Sequence, residues 1–227
     1  MINNKLVNTT LVTSGIFTLT LVLFPNLDLT ISSFFYTTGD GFSYKNQFLV
    51  ELFFRLVPVL TNIFIGICAL YTIYIILKHR SLKIFLRSGV FFLLITSIIG
   101  PGLVVNSLLK ENFGRARPKQ ITEFNGKKDF STAFAISDQC ATNCSFSSGH
   151  AAMSFYLSAI AYVVGTLYFT QLYLFGLFLG GFVGLSRIIA GGHFASDVIA
   201  SAFIVLFLNH LIYLLWKNKI LKHKESQ

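Results

Sequence analysis

A chain of 227 residues that is 54% hydrophobic and only 12% charged carries too much continuous apolar length for an ordinary soluble domain. Its formal net charge of +9 could suit nucleic acid, but the lysines and arginines fall in short clusters between or after apolar runs instead of forming a basic stripe, which argues against a nucleic-acid partner. What remains is an integral membrane protein whose roughly six apolar stretches of about 20 residues leave no separate soluble domain, so residues 1–227 are expected to form a single all-α, six-transmembrane-helix bundle.

In chain order, one lysine precedes an uncharged run from about Asn8 to Phe24, and no small-residue cleavage pattern precedes Pro25 and Asn26. An uncleaved first span is therefore expected at about 8–25. Further spans are expected at about 52–77, 84–109, 149–168, 171–190 and 195–216, each helical because lipid forces backbone polar groups to pair within their own segment. Lys78, His79, Arg80, Lys83 and Arg87 lie between the second and third spans, and Lys217, Lys219, Lys222 and Lys224 follow the last. By the positive-inside rule both clusters face the cytoplasm, as then do both termini, and the loops at about 26–50, 110–148 and 191–194 share the opposite face.

Lys110, Arg115 and Arg117 run against that charge preference, which points to a local function that needs them. The loop they open, about 110–148, is the only long one, and long loops beside a rigid scaffold often carry binding groups. It includes "CATNC", in which Cys140 and Cys144 can form a disulfide, remain free thiols or bind metal.

Three pieces carry chemistry. Lys110, Arg115 and Arg117 place three cations at the outer end of the third span, and Pro118 pushes Arg117 out of helical geometry. Taken alone, they read as a basic cluster greeting lipid headgroups. "SSGH", Ser147 to His150, opens the fourth span with a serine suited to a helix N-cap and a glycine that lets a ligand reach the backbone; the free amides and positive dipole end suit phosphate. In "GLSRIIAGGHFASD", His193 and Asp197 are four apart, so on a helix beginning near Gly192 they share a face, and the carboxylate can fix the imidazole tautomer. Arg187 stands near the outer end of the fifth span. Together these pieces supply cations, amide donors, two histidines and an orienting carboxylate at one membrane face. That inventory fits phosphoryl transfer through a covalent phosphohistidine, with arginines doing the electrostatic work of a metal; no metal and no cofactor are expected.

The three pieces resemble the signature of the type 2 phosphatidic acid phosphatase superfamily, shared with vanadium haloperoxidases: Lys-x6-Arg-Pro at Lys110 to Pro118, Pro-Ser-Gly-His at Ser147 to His150, and Ser-Arg-x5-His-x3-Asp at Ser186 to Asp197. One departure is Ser147 in place of the proline. The resemblance implies that His193 is the nucleophile, Asp197 its orienting partner, and His150 the acid that protonates the leaving oxygen and later activates water. It implies that Lys110, Arg117, Ser148, Gly149 and Arg187 hold the phosphate oxygens; Arg115 joins that set on charge and proximity alone. Within the superfamily, "FPNLD", "GPGLVVN", "FGRARP" and "CATNCSFSSGHAAMSF" are similar to bacterial lipid A phosphatases, particularly the branch that removes the 4′-phosphate. That implies a bacterial inner-membrane enzyme with its site facing the periplasm and a membrane lipid as substrate. The charge pattern alone does not select among lipid A, undecaprenyl diphosphate and phosphatidylglycerophosphate, and an anionic-lipid transporter would also carry such cations. Lys119, Lys127 and Lys128 are expected to matter far less to the chemistry.

Overall fold

The computed structural model describes residues 2–224, with side chains to Asn218; the side chains of Lys219, Lys222 and Lys224 lie outside the described residues, as do Met1 and Gln227 at the termini. The chain is built from α1 (Asn4–Leu23), α2 (Asn26–Ser33), α3 (Phe48–His79), α4 (Leu82–Arg87), α5 (Gly89–Asn112), α6 (Gly149–Val164), α7 (Phe169–Ile189) and α8 (Ala195–Lys224). No strand occurs among the described residues.

Five helices, α1, α3, α5, α7 and the Ala195–Asn218 part of α8, are long and apolar enough to cross a membrane. The expected fourth span is shorter than its apolar run suggests, because Gly165 takes φ +109° and ends α6 at Val164, making it too short to count with the other five. The third span starts at Gly89 instead of about 84: Ser88 is extended, caps the new helix through Phe91 N–H and leaves α4 as a separate turn. Part of the expected loop at 26–50 is helical, as α2. Within α5, Pro101 lacks an N–H, and residues Ile98–Leu109 are wound wider; the Asn106 side chain donates to the Pro101 carbonyl at 2.8 Å.

Large apolar side chains such as Ile63, Leu70, Leu77, Phe175 and Phe178 point outward, which suits lipid and would be a liability in water. The inward faces meet in a core that includes Phe92, Val105, Tyr156, Tyr173 and Val205. Polar groups inside are paired across helices: Tyr156 donates to the Leu93 carbonyl at 2.9 Å, Thr10 and Tyr173 hydroxyls lie 2.8 Å apart, and Asn209 donates to Ser158 at 3.2 Å. Along α7, Gly176, Gly180 and Gly184 lie against Ser158, Phe155 and Val198, where an added Cβ would fall within 2.4 Å of a neighbouring atom. Bare backbone is what lets α6 and α8 approach α7 this closely.

The bundle has two distinct ends. At one, Trp216 donates to Leu86 O, tying α8 to the basic α4 segment, and Asn3 meets Thr170. At the other, α2, the C-terminal ends of α5 and α7, and the N-terminal ends of α6 and α8 gather under the loop 113–148, linked by Asp28 to Ser196, Ser201 to Ser148, and Lys119 N–H to Gly191 O. That loop shares a second apolar cluster with the link between α2 and α3, in which Phe124 packs with Tyr36 and Phe42.

Candidate active site

His193 sits in the tight link between α7 and α8. Helix α8 begins at Ala195, not near Gly192, so His193 precedes it and Asp197 lies in its first turn. The Asp197 carboxylate accepts Phe194 N–H at 2.8 Å, which folds the link back on the helix start, and Ser145 Oγ–H at 2.6 Å. Nδ1 of His193 is 2.7 Å from the Ser145 carbonyl and 3.6 Å from Asp197 Oδ2. A carbonyl only accepts, so Nδ1 carries the hydrogen and Nε2 keeps its lone pair. The carboxylate expected to fix the tautomer is thus assisted by a backbone carbonyl that is the nearer partner. Burial holds the His193 imidazole down to about 4; hydrogen bonding and charge from Asp197 oppose this, and Arg187 and Arg117 reinforce it. At neutral pH the ring is uncharged.

Arg115 lies beneath this pair, and its placement corrects the expectation that it holds phosphate. The side chain is fully buried and every nitrogen is committed: Nε to the Ser131 carbonyl at 2.8 Å, Nη1 to Ser196 Oγ and Asp197 Oδ1, Nη2 to Asp28 Oδ2 at 2.9 Å. The Phe194 ring covers it, with the guanidinium carbon 4.2 Å from the ring centre. A planar fork between two carboxylates is what an arginine buried in such a place requires. Asp28 also accepts the N–H of Ser196, so α2 is locked to the start of α8.

Lys110, Arg117 and Arg187 stand differently. Among the described residues the ion pairs join Asp28 and Asp197 to Arg115, His193 to Asp197, and Glu51 to Arg55; none engages Lys110, Arg117 or Arg187. Arg187 is 8% exposed and Lys110 9%. Arg117 Nη2 donates to the carbonyl and side chain of Asn143 at 2.7 and 3.1 Å, which fixes its direction. Arg187 lies over the Phe54 ring at 4.4 Å, and the same ring packs against His150 in a tilted arrangement with centroids 4.9 Å apart, so one side chain of α3 steadies two others. Gly192 leaves room for the guanidinium: a Cβ there would stand 2.3 Å from Arg187 Nη2. His150 is within electrostatic reach of Arg187, His193, Lys110 and Arg117.

Ser148 precedes α6 at the cap position but makes no capping bond. Its Oγ, that of Ser147 and Nε of Arg187 are buried without a protein partner. With Gly149 starting the helix, the structure brings Lys110, Arg117, Ser148, Gly149, His150, Arg187 and His193 to the same end of the bundle. Buried donors left unpaired beside three cations are suited to a tetrahedral oxyanion.

Cys140 and Cys144 are joined as a disulfide, with Cα atoms 5.6 Å apart. The short loop it closes carries Asn143 and leads directly into Ser145. Among the described residues no group of three or more His, Cys, Asp or Glu side chains is arranged to hold a metal ion. Asp28, Asn143, Ser145 and Phe54 are absent from the sequence-derived site. Asp28 had a signal, as the only acid in the "FPNLD" stretch, whereas the other three contact the site from positions that no spacing reveals.

The sequence profile of the PAP2 superfamily matches residues 89–221, from the start of α5 to near the end of α8. The chain belongs to this superfamily. It is 34% identical over 207 residues to a lipid A 4′-phosphatase of Francisella tularensis subsp. novicida (strain U112), covering 87% of this chain and 90% of that protein. It is 31% identical over 160 residues to a lipid A 4′-phosphatase of Rhizobium leguminosarum, covering 59% of this chain and 63% of the relative. A Rhizobium etli protein of the same name is 30% identical over 160 residues. No solved structure matches the chain.

Proposed function

We propose that this PAP2 protein is a membrane-embedded lipid A phosphatase that hydrolyses the 4′-phosphate monoester through a phosphohistidine intermediate. The observation that carries the reading is the pairing of a neutral His193, its hydrogen fixed on Nδ1, with Lys110, Arg117 and Arg187, which have no carboxylate of their own. Cations at a membrane border are costly unless an anion meets them. The relatives' names favour lipid A as the source of that anion.

In the first step Nε2 attacks phosphorus, the P–N bond forms as the P–O bond to the lipid breaks, and protonated His150 gives its proton to the departing oxygen. In the second, His150 takes a proton from water, the oxygen attacks phosphorus, and the P–N bond breaks to release inorganic phosphate and restore His193. Charge on the equatorial oxygens is met by Lys110, Arg117, Arg187, the Ser148 hydroxyl and the first amides of α6. Asp197, held by Arg115, stabilises the imidazole as it acquires positive character.

The reading extends to topology: one domain, six crossings with α6 as the fourth, a bacterial inner membrane, termini in the cytoplasm and the site facing the periplasm. Lys78, Arg80, Lys83 and Arg87 at the end opposite the site, and a disulfide beside it, support that orientation. The test is phosphate release by the purified protein from lipid A, undecaprenyl diphosphate and phosphatidylglycerophosphate. Preferential loss of the 4′-phosphate from lipid A is expected; turnover of either other lipid alone would overturn the substrate assignment.

A further inference from the structure

Arg187 also lines a neighbouring cavity of about 310 Å³, whose other walls include Lys45, Glu51, Phe54, Arg55 and Lys119. His193, His150, Lys110 and Arg117 do not line it. We propose that this cavity is a second anion subsite, which receives a further phosphate on the headgroup that carries the scissile one; the proposal rests on the lipid phosphatase reading above.

Charge balance is the first support. Glu51 is the acid of this wall, and its carboxylate is bound by Arg55 at 2.7 Å. Lys45 and Lys119 have no acidic partner among the described residues, and Arg187 has none either. Three cations therefore converge on one concavity with nothing to offset them. Partial desolvation, then Arg117, Arg187 and Lys45, hold the exposed Lys119 ammonium below its usual range, so these like charges lie within reach of one another and a bound anion would favour their charged forms.

Fixed positions are the second support. Lys119 lies in the short turn Pro118–Gln120, and its N–H is bonded to the Gly191 carbonyl at 3.1 Å. Lys45 lies in the turn Ser43–Asn46, preceded by the buried Phe42, whose ring packs against Gly191 closely enough that a Cβ there would stand 2.4 Å away. Both turns are therefore keyed to the link that carries His193. An anion held by Lys45 and Lys119 sits at a set offset from the phosphate being transferred, with Arg187 between the two. A general attraction to anionic lipid would require no such registration.

The experiment compares bisphosphorylated lipid A with lipid A carrying only the 4′-phosphate, same acyl chains, in wild type and in the Lys45→Gln, Lys119→Gln double variant. Loss of two exposed ion pairs is expected to lower the ratio of kcat/KM for the bisphosphorylated over the monophosphorylated lipid by about tenfold, through KM. An equal change on both substrates, marking attraction to the lipid surface, or no change, overturns the subsite. Binding of the same two lipids to the His193→Ala protein, with and without the two lysine substitutions, separates the claims. A binding preference that the lysine changes abolish, without wild-type turnover, supports the subsite and overturns the phosphatase reading. Turnover with no preference in binding or catalysis does the reverse.

Discussion

Ser145 presents its backbone carbonyl to Nδ1 of His193 at 2.7 Å while its hydroxyl bonds Asp197 at 2.6 Å. One residue thus orients both members of the pair. His193→Ala is expected to abolish phosphate release with the fold intact. Ser145→Ala keeps the carbonyl but removes a hydrogen bond to a buried carboxylate, about 1.5–3 kcal/mol. It should lower kcat tenfold or more with little change in KM, measured as steady-state phosphate release.

Arg115 and Arg187, both buried, should fail differently. Arg115→Ala strands two carboxylates in the interior and is expected to cost about 3–5 kcal/mol of stability, seen as a lower unfolding temperature and poor yield of folded protein. Arg187→Gln or Arg117→Gln should leave unfolding nearly unchanged and remove about 2–4 kcal/mol of transition-state stabilisation, read from kcat/KM. An Arg115 variant that folds normally but loses activity would return Arg115 to the phosphate-holding set.

His193 sets a pH dependence whose sign follows from its lowered pKa. The folded protein keeps the ring neutral to about 4, while the unfolded chain takes up a proton near 6.5. Between those values the unfolded state binds more protons, so the contribution of His193 to stability is complete above about pH 6.5 and is lost as pH falls toward 4. Nitrogen NMR of the imidazole should show the Nδ1–H form throughout neutral pH, and His193→Gln should flatten the acid arm of the stability profile.

The phosphoryl-transfer scheme uses side-chain cations and a histidine nucleophile. Activity should therefore persist in a chelator, and vanadate should inhibit competitively by occupying the place of the transferred group. Loss of activity in the chelator that a divalent cation restores would overturn the scheme.

Reduction of the Cys140–Cys144 bond should matter through Asn143 and Ser145, which grip Arg117 and Asp197 on either side of Cys144. Closing so short a loop contributes about 2 kcal/mol of chain entropy. Treatment with reductant, or Cys140→Ser with Cys144→Ser, is expected to lower kcat/KM severalfold while the transmembrane bundle remains folded by circular dichroism.

The apolar runs made the membrane helices legible, because lipid permits little except helix over such lengths. Their ends were less so: Ser88 and Gly165 interrupt runs whose hydropathy continues across them, and α2 lacks the length to register as a span. The motif spacings pointed to one end of the bundle because Lys110, His150 and Arg187 fall at helix ends, while Arg117 and His193 lie in the links beside them. Arg115 misled because charge and proximity to Arg117 are sequence properties, whereas its partner Asp28 is 87 residues away and meets it only through the fold. Ser145, whose decisive group is a backbone carbonyl, could not have been read from residue type at all. Lys119, expected to matter far less to the chemistry, stands out only through the cavity it lines.

The glycine stripe on α7 has a last consequence. With Gly176, Gly180 and Gly184 in direct contact with their neighbours, the helix has no slack in which to slide or roll, and Arg187 stands at its end one turn further on. Where Arg187 stands is thus set by how tightly α7 seats against α6 and α8 as the chain folds.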